Sequence, residues 1–325
     1  MNELRWGILG TGTIANEMAG ALAGKERRFA AVAGRNPERT AAFAEKYGIS
    51  RAFTDCGNLL TDPEVDAVYI ATPHNTHFPY ICKALENGKH VLAEKAITLN
   101  AGELARAAAL AEERGLVLAE AMTIYHMPLY RALRERLDRG DLGKVNLVTL
   151  NFGSFKPYDP GNRFFNRQLA GGAMLDIGVY ALSFARFFLD GKPDRLLSQV
   201  KKAPTGVDEQ AGLLLTNDAG QMASVMLSLR SKQPKRGMVS CEKGFIEVME
   251  YPRATEAKIT YTDGRTEAVR AGVSADALAY EISDMEKTVR DGDGGMCLNL
   301  TKDVMDLMTA FRKDWGVVYP EEEPG

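Results

Sequence analysis

The sequence predicts an α/β protein with a doubly wound parallel sheet at its N-terminus and a second α/β domain whose open sheet is mostly antiparallel. Over residues 1–121, short apolar runs alternate with segments of helix length, which indicates a parallel sheet covered by helices on both faces. Over residues 122–325, long alternating runs follow one another between turn signals, as antiparallel strands do. The 325 residues suffice for two such domains.

Apolar runs in the first half of the chain predict five strands, with helices between them. Strands are predicted at 4–9, 28–34, 66–72, 89–95 and 116–121. Helices are predicted after the first glycines up to about Ala23, and at 36–48, 77–88 and 100–115. A proline opens the second of these helices and Gly48 follows it, which is the usual asymmetry of helix termini. Asn100 and Gly115 are the expected cap and stop of the last one.

The second half has a different order of predicted elements, with most of its strands following one another directly. A long alternating strand is predicted at 144–155, with the pattern of an antiparallel strand, and a helix is predicted at 173–189. Shorter strands are predicted at LLSQVKK (196–202), AGLLLTN (211–217), MASVMLSLR (222–230), GFIEVME (244–250) and AKITYTD (257–263). Two helices are expected near 276–291 and 298–313, and residues 317–325 are expected to form a solvated end.

The composition excludes several classes of protein. The chain is 45% apolar and 26% charged, which is typical of a globular protein. Its net charge of −3, with scattered lysines and arginines, argues against a nucleic-acid surface. The N-terminus lacks the basic region of a signal peptide, and no run of about 18 uncharged apolar residues predicts a membrane span. We therefore expect a cytoplasmic protein.

Cysteine and histidine spacing gives no sign of a metal site. The four cysteines lie far apart and none forms a CxxC pair, so neither a zinc site nor a disulfide framework is expected. His74 and His77 are three residues apart, but the sequence offers no third ligand beside them. No metal is predicted.

Residues 7–15, GILGTGTIA, contain a glycine pattern that predicts dinucleotide binding. Gly10-x-Gly12-x-x-Ala15 follows a predicted strand and opens a predicted helix, which is the context that this fingerprint requires. Gly10 would allow the tight turn, Gly12 would let a pyrophosphate approach the helix N-terminus, and Ala15 would keep helix and strand close. A plain glycine turn is the alternative interpretation.

The end of the second predicted strand bears on the choice of cofactor. NAD enzymes usually place an acidic residue about 20 residues beyond the glycines, where it binds the ribose hydroxyls. This chain has AGRNPER there, with Arg35 and Arg39 in place of an acid. Two guanidinium groups would attract a 2′-phosphate. The sequence favours NADP(H), while NAD(H) stays possible and both arginines have the alternative of being ordinary surface charges.

Three further motifs resemble those of one oxidoreductase family. ATPHNTH (71–77), AEKAITLN (93–100) and GGAMLDIGVY (171–180), after the glycine fingerprint, are similar to the motifs of the Gfo/Idh/MocA family in order and spacing. The similarity covers nearly the whole chain. The tyrosine of DIGVY resembles the dihydrodiol dehydrogenase, xylose dehydrogenase and glucose-fructose oxidoreductase branch, because inositol dehydrogenases typically have histidine there.

The resemblance implies a nucleotide-binding Rossmann domain over 1–121, a substrate-binding and oligomerisation domain over 122–325, and roles for particular residues. Lys95 would be catalytic beside the nicotinamide, Asp176 would hold a substrate hydroxyl, and Tyr180 would exchange the proton. The candidate cofactor contacts are Gly10, Gly12, Thr13, Ile14, Arg35, Arg39, Thr72, Pro73, Asn75, His77, Glu94 and Lys95. Whether Lys95 or Tyr180 is the immediate proton carrier stays open.

Two segments depart from the family pattern. The family usually has EKP, whereas Ala96 stands in the proline position here, so a cis peptide bond after Lys95 is not expected. EAMTIYHMP (120–128) also differs from the relatives' versions of a segment expected to line the substrate pocket, so the substrate itself stays open. Arg163 is a candidate substrate contact, with a plain surface arginine as the alternative.

The predicted chemistry explains why an acid and a phenol would share one helix. Oxidising a carbinol requires a hydride acceptor and a group that takes the hydroxyl proton. A tyrosine of pKa about 10 becomes a better base beside a lysine ammonium. Asp176 and Tyr180 are four residues apart and so share a helix face, and Gly171 and Gly172 would leave room for the ligands beside it.

The leading predicted function is an NAD(P)-dependent dehydrogenase or reductase acting on a sugar, a polyol or a trans-dihydrodiol. The alternatives are a redox-neutral glycoside-cleaving enzyme that retains its nucleotide, and a regulatory protein that senses a dinucleotide. The regulatory protein ranks last because it would be expected to lack Lys95.

The alternating residues of 222–230 also predict a homo-oligomer, a dimer or tetramer, since one side of that strand packs on helices and the other can face a partner, as in relatives that pack their sheets face to face. Loops covering that side are the alternative.

Overall fold

The computed structural model describes residues 4–23, 25, 27–292 and 295–323, and the chain divides into two compact units. The first unit comprises Met1–Ala121 and Ala275–Leu298, and the second comprises Met122–Ser274 and Asn299–Gly325. The sequence had placed 275–298 in the second domain. An amphipathic pattern shows that a helix buries one face, but it does not show against which sheet that face packs.

The first unit contains a six-stranded parallel sheet in the order β3-β2-β1-β4-β5-β6. Its strands are β1 (Trp6–Leu9), β2 (Ala31–Ala33), β3 (Arg51–Phe53), β4 (Ala67–Ile70), β5 (His90–Glu94) and β6 (Leu118–Ala121). The strand order reverses between β1 and β4, which is the point where doubly wound sheets bind nucleotides. The predicted N-terminal fold is therefore confirmed.

The second unit contains an eight-stranded sheet in the order β14-β13-β12-β11-β7-β10-β9-β8. Its strands are β7 (Val145–Gly153), β8 (Arg195–Lys202), β9 (Asp208–Thr216), β10 (Met222–Ser228), β11 (Gln233–Cys241), β12 (Gly244–Met249), β13 (Glu256–Tyr261) and β14 (Thr266–Arg270). All neighbouring strands are antiparallel except β7 and β10. The mostly antiparallel sheet is confirmed, but β7 runs parallel to β10. The sequence could not predict this pairing, because the alternation of side chains does not depend on strand direction.

The helices of the described residues follow the sequence signals at most positions. They are α1 (Thr13–Leu22), α2 (Pro37–Tyr47), α3 (Cys56–Leu60), α4 (His77–Glu86), α5 (Ala101–Glu113), α6 (Thr123–His126), α7 (Pro128–Asp138), α8 (Val179–Phe188), α9 (Ala277–Asp291) and α10 (Leu298–Trp315). Asn100 caps α5 by accepting a hydrogen bond from the Glu103 backbone N–H at 2.9 Å. Gly48 and Gly115 adopt positive φ angles of 64° after α2 and α5, as their positions predict.

Helix α9 packs in the core of the first unit. Its buried Ile282 and Met285 belong to the same apolar cluster as Trp6 of β1. The Trp6 indole donates a hydrogen bond to Glu286 at 3.2 Å, and Glu286 also pairs with Arg27 at 2.9 Å. These contacts explain why α9 belongs to the nucleotide-binding unit although it follows the second sheet in sequence.

The alternating strand β10 has one buried side and one open side. Ala223, Val225 and Leu227 are buried, whereas Met222 and Met226 are 37% and 54% exposed. On neighbouring strands Leu197 and Leu214 are also exposed, at 69% and 38%. The second unit therefore presents apolar side chains on the outer face of its sheet, which we call the outer sheet face.

The C-terminal segment is not the solvated end that the sequence suggested. Val317 and Tyr319 are buried, and Glu322 forms an ion pair with the buried Arg312 at 2.8 Å. A fully buried aromatic ring and a paired acid hold this segment on the second unit. Residues 324 and 325 of the predicted tail lie outside the described residues.

One segment, Arg167–Phe188, is long and apolar enough to cross a membrane by length and composition alone. However, 78% of its most apolar window is buried inside the protein. A core helix passes the same test, so the segment is weak support for a membrane span.

Candidate active site

A cavity of about 330 Å³ lies where β1, β2 and β4 of the first unit end. It is lined by Gly10, Thr11, Gly12, Gly34, Arg35, Asn36, Arg39, Cys56, Ala71, Thr72, Pro73, Thr76 and Tyr80. Six of the twelve predicted cofactor contacts are in this lining: Gly10, Gly12, Arg35, Arg39, Thr72 and Pro73. The sheet thus brings together residues from the loops after β1, β2 and β4, which lie far apart in sequence.

Gly10 makes the turn after β1 possible. Its φ angle is +107°, and a Cβ at this position would collide with the carbonyl oxygen of Ala71. Only glycine therefore lets this turn lie against the loop that follows β4.

Gly12 leaves open space at the N-terminus of α1. It is the N-cap residue of this helix, with an extended backbone, and no described side chain caps the helix. A Cβ on Gly12 would meet no atom of the described chain within 4 Å. The first N–H groups of a helix lack intrahelical acceptors, so this end, which begins at Thr13 and Ile14, suits the pyrophosphate of a dinucleotide.

Two guanidinium groups are also part of the cavity lining. Arg35 and Arg39 are exposed, and the Asn36 side chain caps α2 by accepting from the Arg39 backbone N–H at 2.9 Å. None of the described residues that line the cavity carries a carboxylate. Asp55 precedes the lining residue Cys56, but its side chain accepts from the Gly57 N–H at 2.7 Å and caps α3. The lining is thus cationic where a ribose phosphate would lie.

Sequence reasoning missed the wall formed by Cys56, Thr76 and Tyr80. Burial, and after it a hydrogen bond with the Cys56 thiol, raises the pKa of Tyr80. Thr76 Oγ1 donates to Thr72 Oγ1 at 2.8 Å. Thr76 and Tyr80 had a usable signal, since Thr76 lies within the ATPHNTH motif and Tyr80 follows it within one helical turn. Cys56 had none, because β3 before it is three residues long and mostly exposed.

Two histidines hold the loop that carries Lys95. His74 Nε2 lies 3.0 Å from the Lys95 carbonyl oxygen. His77 Nδ1 lies 3.1 Å from the Ala96 carbonyl oxygen, and its Nε2 lies 2.8 Å from that of Thr72. Burial lowers the pKa of His77, which is fully enclosed. His77 therefore connects the two loops and does not line the cavity.

The peptide bond between Lys95 and Ala96 is cis, so the expectation of a trans bond is wrong. That expectation considered only the local preference of a bond that is not followed by proline. The structure adds long-range contacts on both sides of the bond: His74 and His77 reach its flanking carbonyls, and the Ile97 N–H donates to Glu120 Oε1 at 3.1 Å.

The other predicted cofactor residues of the first unit lie outside the cavity lining. Thr13 and Ile14 are in the first turn of α1, and Asn75 is in the short 3₁₀ turn before α4. Glu94 is buried at the end of β5 and accepts a hydrogen bond from the Tyr69 hydroxyl. Lys95 follows it and is partly buried.

Asp176 and Tyr180 lie on the second unit, on a helix that begins with a π turn. The π turn spans Met174–Gly178 and carries Asp176, and Tyr180 is in the first turn of α8. The sequence predicted an ordinary α-helix here, because the i→i+5 hydrogen bonds of a π turn leave no clear mark in side-chain periodicity. Such turns occur frequently at functional sites.

The surroundings of this helix bear on two sequence hypotheses. Arg163 Nη2 lies 3.6 Å from Asp176 Oδ1, with the arginine side chain 59% exposed. The Tyr180 ring lies 6.1 Å from that of Phe152. A Cβ on Gly171 would lie 2.7 Å from the Arg163 carbonyl oxygen, so protein atoms fill the space that the glycine pair was expected to leave for ligands.

The described residues contain no group of three or more His, Cys, Asp or Glu side chains that could hold a metal ion. The chemistry of the first unit is instead that of a dinucleotide site, with a helix N-terminus, glycines and two arginines around one cavity. Fold and site together define the class of dinucleotide-binding α/β proteins.

Comparison with known proteins identifies the family. Residues 4–122 match the model of the GFO/IDH/MocA oxidoreductase family with an NAD-binding Rossmann fold, and residues 130–247 match the GFO/IDH/MocA C-terminal domain. The chain belongs to this family and is an NAD(P)-dependent oxidoreductase. The resemblance noted in the sequence motifs is confirmed.

Three relatives illustrate the similarity. Trans-1,2-dihydrobenzene-1,2-diol dehydrogenase of Mus musculus is 30% identical over 332 residues, covering 98% of this chain and 99% of the relative. D-xylose 1-dehydrogenase (NADP(+)) 2 of Haloferax volcanii is 33% identical over 302 residues, covering 89% and 92%. The crystal structure of KijD10, a 3-ketoreductase from Actinomadura kijaniata with NADP and TDP-benzene, has a TM-score of 0.85 at 27% identity, covering 96% and 98%.

Proposed function

We propose that this protein transfers a hydride between NADP(H) and the carbinol or carbonyl carbon of a sugar, a polyol or a trans-dihydrodiol. The observation that carries the proposal is the cavity at the N-terminus of α1, lined by Arg35 and Arg39 and by no described carboxylate. The names of the relatives, a dihydrodiol dehydrogenase, a D-xylose dehydrogenase and a 3-ketoreductase, support the substrate classes.

The cofactor would be held by this chain at two ends. The N–H groups of Thr13 and Ile14 would bind the pyrophosphate beside Gly12, and Arg35 and Arg39 would pair with the 2′-phosphate. Thr72 and Pro73 would contact the cofactor from the loop after β4. Asn75, His77 and Glu94 would support that loop and the loop of Lys95 from behind.

The substrate would be handled by Lys95, Asp176 and Tyr180. When it is bound, the nicotinamide cofactor supplies hydride transfer. Asp176 accepts a hydrogen bond from a substrate hydroxyl and selects which carbon reacts. Tyr180 exchanges the proton of the reacting hydroxyl, and the Lys95 ammonium favours its phenolate. Arg163, beside Asp176, would contact a neighbouring substrate oxygen.

The experiment that tests this function measures the absorbance of reduced nicotinamide with a panel of sugars, polyols and trans-dihydrodiols, using NADP⁺ and NAD⁺ in parallel. We expect reduction of NADP⁺ with at least one member of the panel. Absence of any reduction, with a nucleotide retained through purification, would contradict the proposal and indicate redox-neutral catalysis.

Arg35→Ala is expected to raise the KM for NADP⁺ by about 10- to 100-fold, since a hydrogen bond to a charged group contributes about 1.5–3 kcal/mol. The KM for NAD⁺ should change little, because NAD⁺ lacks the 2′-phosphate. Steady-state kinetics with both cofactors measure the difference. Arg28→Ala, which removes an exposed arginine outside the cavity lining, is the matched control. An equal rise for both cofactors would contradict the assignment.

We also infer a cytoplasmic, homo-oligomeric protein that associates through the outer sheet face. Met226 is 54% exposed there, and a contiguous apolar face of this kind commonly marks an interface. Met226→Lys is expected to convert a dimer or tetramer to a monomer in light scattering at micromolar concentration. Val273→Lys introduces the same charge at an exposed apolar residue after β14 and should leave the assembly intact. A monomeric wild-type protein would refute this inference.

A further inference from the structure

A buried carboxylate of the second unit lies against the glycine pair that precedes Asp176. Asp208, the first residue of β9, is fully buried, and its Oδ2 accepts a hydrogen bond from the Met174 backbone N–H at 2.6 Å. Gly172 has a φ angle of +126°, and a Cβ there would collide with Asp208 Oδ1. Asp208 thus occupies the space that Gly172 leaves, and it caps a helix start that has no side-chain cap of its own.

The same turn is held by the C-terminal segment. The fully buried Tyr319 donates its hydroxyl hydrogen bond to the Gly171 carbonyl oxygen at 2.7 Å. The Arg312 guanidinium lies 4.6 Å from the centroid of the Tyr319 ring and forms a two-pronged ion pair with Glu322, at 2.8 and 2.9 Å. Glu322 also accepts from the Tyr319 N–H at 3.0 Å. A continuous set of buried contacts therefore runs from α10 to the Gly171 carbonyl.

The remaining side of the turn is held by backbone. The Gly171 N–H donates to the Asn166 carbonyl oxygen and the Gly172 N–H donates to that of Phe164, both at 3.0 Å. Met174, which Asp208 holds, precedes Asp176 by only two residues. Any shift of this turn would therefore move the start of the helix.

We propose that Asp208 and Tyr319 are positioning residues: they fix the Gly171–Gly172 turn and thereby the orientation of Asp176 and Tyr180. This inference rests on the proposed function, in which Asp176 and Tyr180 contact the substrate. Asp208 and Tyr319 act through the helix, since both are fully buried.

The charge of Asp208 gives the proposal a pH-dependent readout. Burial raises the pKa of Asp208 to about 7, against the opposing effects of the Met174 N–H and the Arg312 charge. The groups that face it are Arg312 and Tyr319, with Glu322 behind Arg312. The ordinary pKa of an aspartate is 3.8. At a pH between 3.8 and about 7, Asp208 of the folded protein therefore holds a proton that the unfolded chain has released. Stability therefore falls as pH rises from about 4 to about 7.

The test compares Asp208→Asn with wild type in the full-length protein. Above pH 7, where the wild-type carboxyl is ionised, the amide lacks the charge and places an NH₂ donor in the turn, so we expect kcat to fall by about 10- to 100-fold, the scale of a misplaced catalytic group. The Kd for NADP(H) should not change, because the cofactor cavity belongs to the first unit. The part of the stability loss between pH 4 and 7 that is due to Asp208 should disappear. Tyr319→Phe should lower kcat in the same direction by a smaller factor.

The control is Gln221→Ala. Gln221 is buried in the same unit and holds the segment after α8, accepting from the Asp190 N–H at 2.8 Å and donating to the Val145 carbonyl oxygen at 3.0 Å. It should lower Tm without changing kcat, because it acts at the far end of the helix. Equal losses of kcat in Gln221→Ala and Asp208→Asn at matched loss of Tm would overturn the proposal.

The remaining outcomes separate this inference from the proposed function. Wild-type kcat in Asp208→Asn, beside a slow Tyr180→Phe, overturns the positioning role alone. Full activity in both Tyr180→Phe and Lys95→Met overturns the proposed catalytic site and the positioning role with it. If Asp208→Asn does not fold, Tyr319→Phe decides: a lower kcat at an unchanged Kd for NADP(H) supports the proposal, and an unchanged kcat overturns it.

Discussion

Tyr180→Phe is expected to lower kcat by about 10²–10⁴-fold, the usual contribution of a general acid or base. Phenylalanine keeps the ring and its packing beside Phe152 but has no exchangeable proton. The free energy of unfolding should change by only about 0.5–1.5 kcal/mol, the net value of one hydrogen bond. The Kd for NADP(H) should stay at the wild-type value, because the cavity residues belong to the other unit.

Lys95→Met completes this test. It should lower kcat as well, and the double variant should be no slower than the slower single variant, because groups that act as a unit are not additive. The matched controls lie on β13, near the edge of the second sheet. Tyr261→Phe removes a hydroxyl that donates to Glu267 of β14 at 3.1 Å, and Lys258→Met removes an exposed ammonium; both should leave kcat unchanged.

The outcomes also decide which group carries the proton. If Tyr180→Phe keeps most of its turnover while Lys95→Met is inactive, the lysine carries the proton and the tyrosine shapes the pocket. If both variants keep turnover, the catalytic assignment is contradicted.

The nucleotide-binding half could be predicted in detail because its signals are local. A strand ends in a glycine turn, a helix begins at a cap such as Asn100, and it ends before a glycine such as Gly115. The missed helix α7 is amphipathic and begins with Pro128, but two of the missed strands carry weak local signals. β3 is a three-residue, mostly exposed strand, and β11 begins with the polar run QPKR. Helix α9 was predicted as a helix but assigned to the other domain, because its partner Trp6 is 280 residues away in sequence.

The residues of the candidate site also differ in whether a local sequence motif predicts their position. Gly10, Gly12 and Arg35 could be placed beside the cavity from the sequence, because each lies in a motif at the end of a strand. The reason for the glycine pair at 171–172 could not be read from the sequence. The Asp208 carboxylate that occupies its space lies 36 residues further along, and no local pattern connects the two. Contacts of this kind become visible only when the sheet has brought β9 beside the helix.

Gly12→Ala is expected to fold normally and to bind NADP(H) at least about 100-fold more weakly. The backbone of Gly12, with φ of −77°, is open to any residue, and its added Cβ would meet no described atom within 4 Å. The methyl group would instead occupy the space in which a pyrophosphate approaches the N–H groups of α1. Losing two hydrogen bonds to a charged group, at about 1.5–3 kcal/mol each, accounts for this factor.

Gly10→Ala should fail in a different way. Its φ of +107° strains any side chain by about 1–3 kcal/mol, and the added Cβ would collide with the Ala71 carbonyl oxygen, a backbone atom that cannot rotate away. We therefore expect a lower free energy of unfolding in the absence of cofactor, measured by urea denaturation, besides weaker binding in calorimetry. Gly20→Ala is the control: it adds a methyl group in open space on α1 and should stabilise the helix by about 0.5–1 kcal/mol with unchanged binding. Wild-type affinity in Gly12→Ala would show that the pyrophosphate does not lie at this helix, and a fully stable Gly10→Ala would show that the turn after β1 can move away from Ala71.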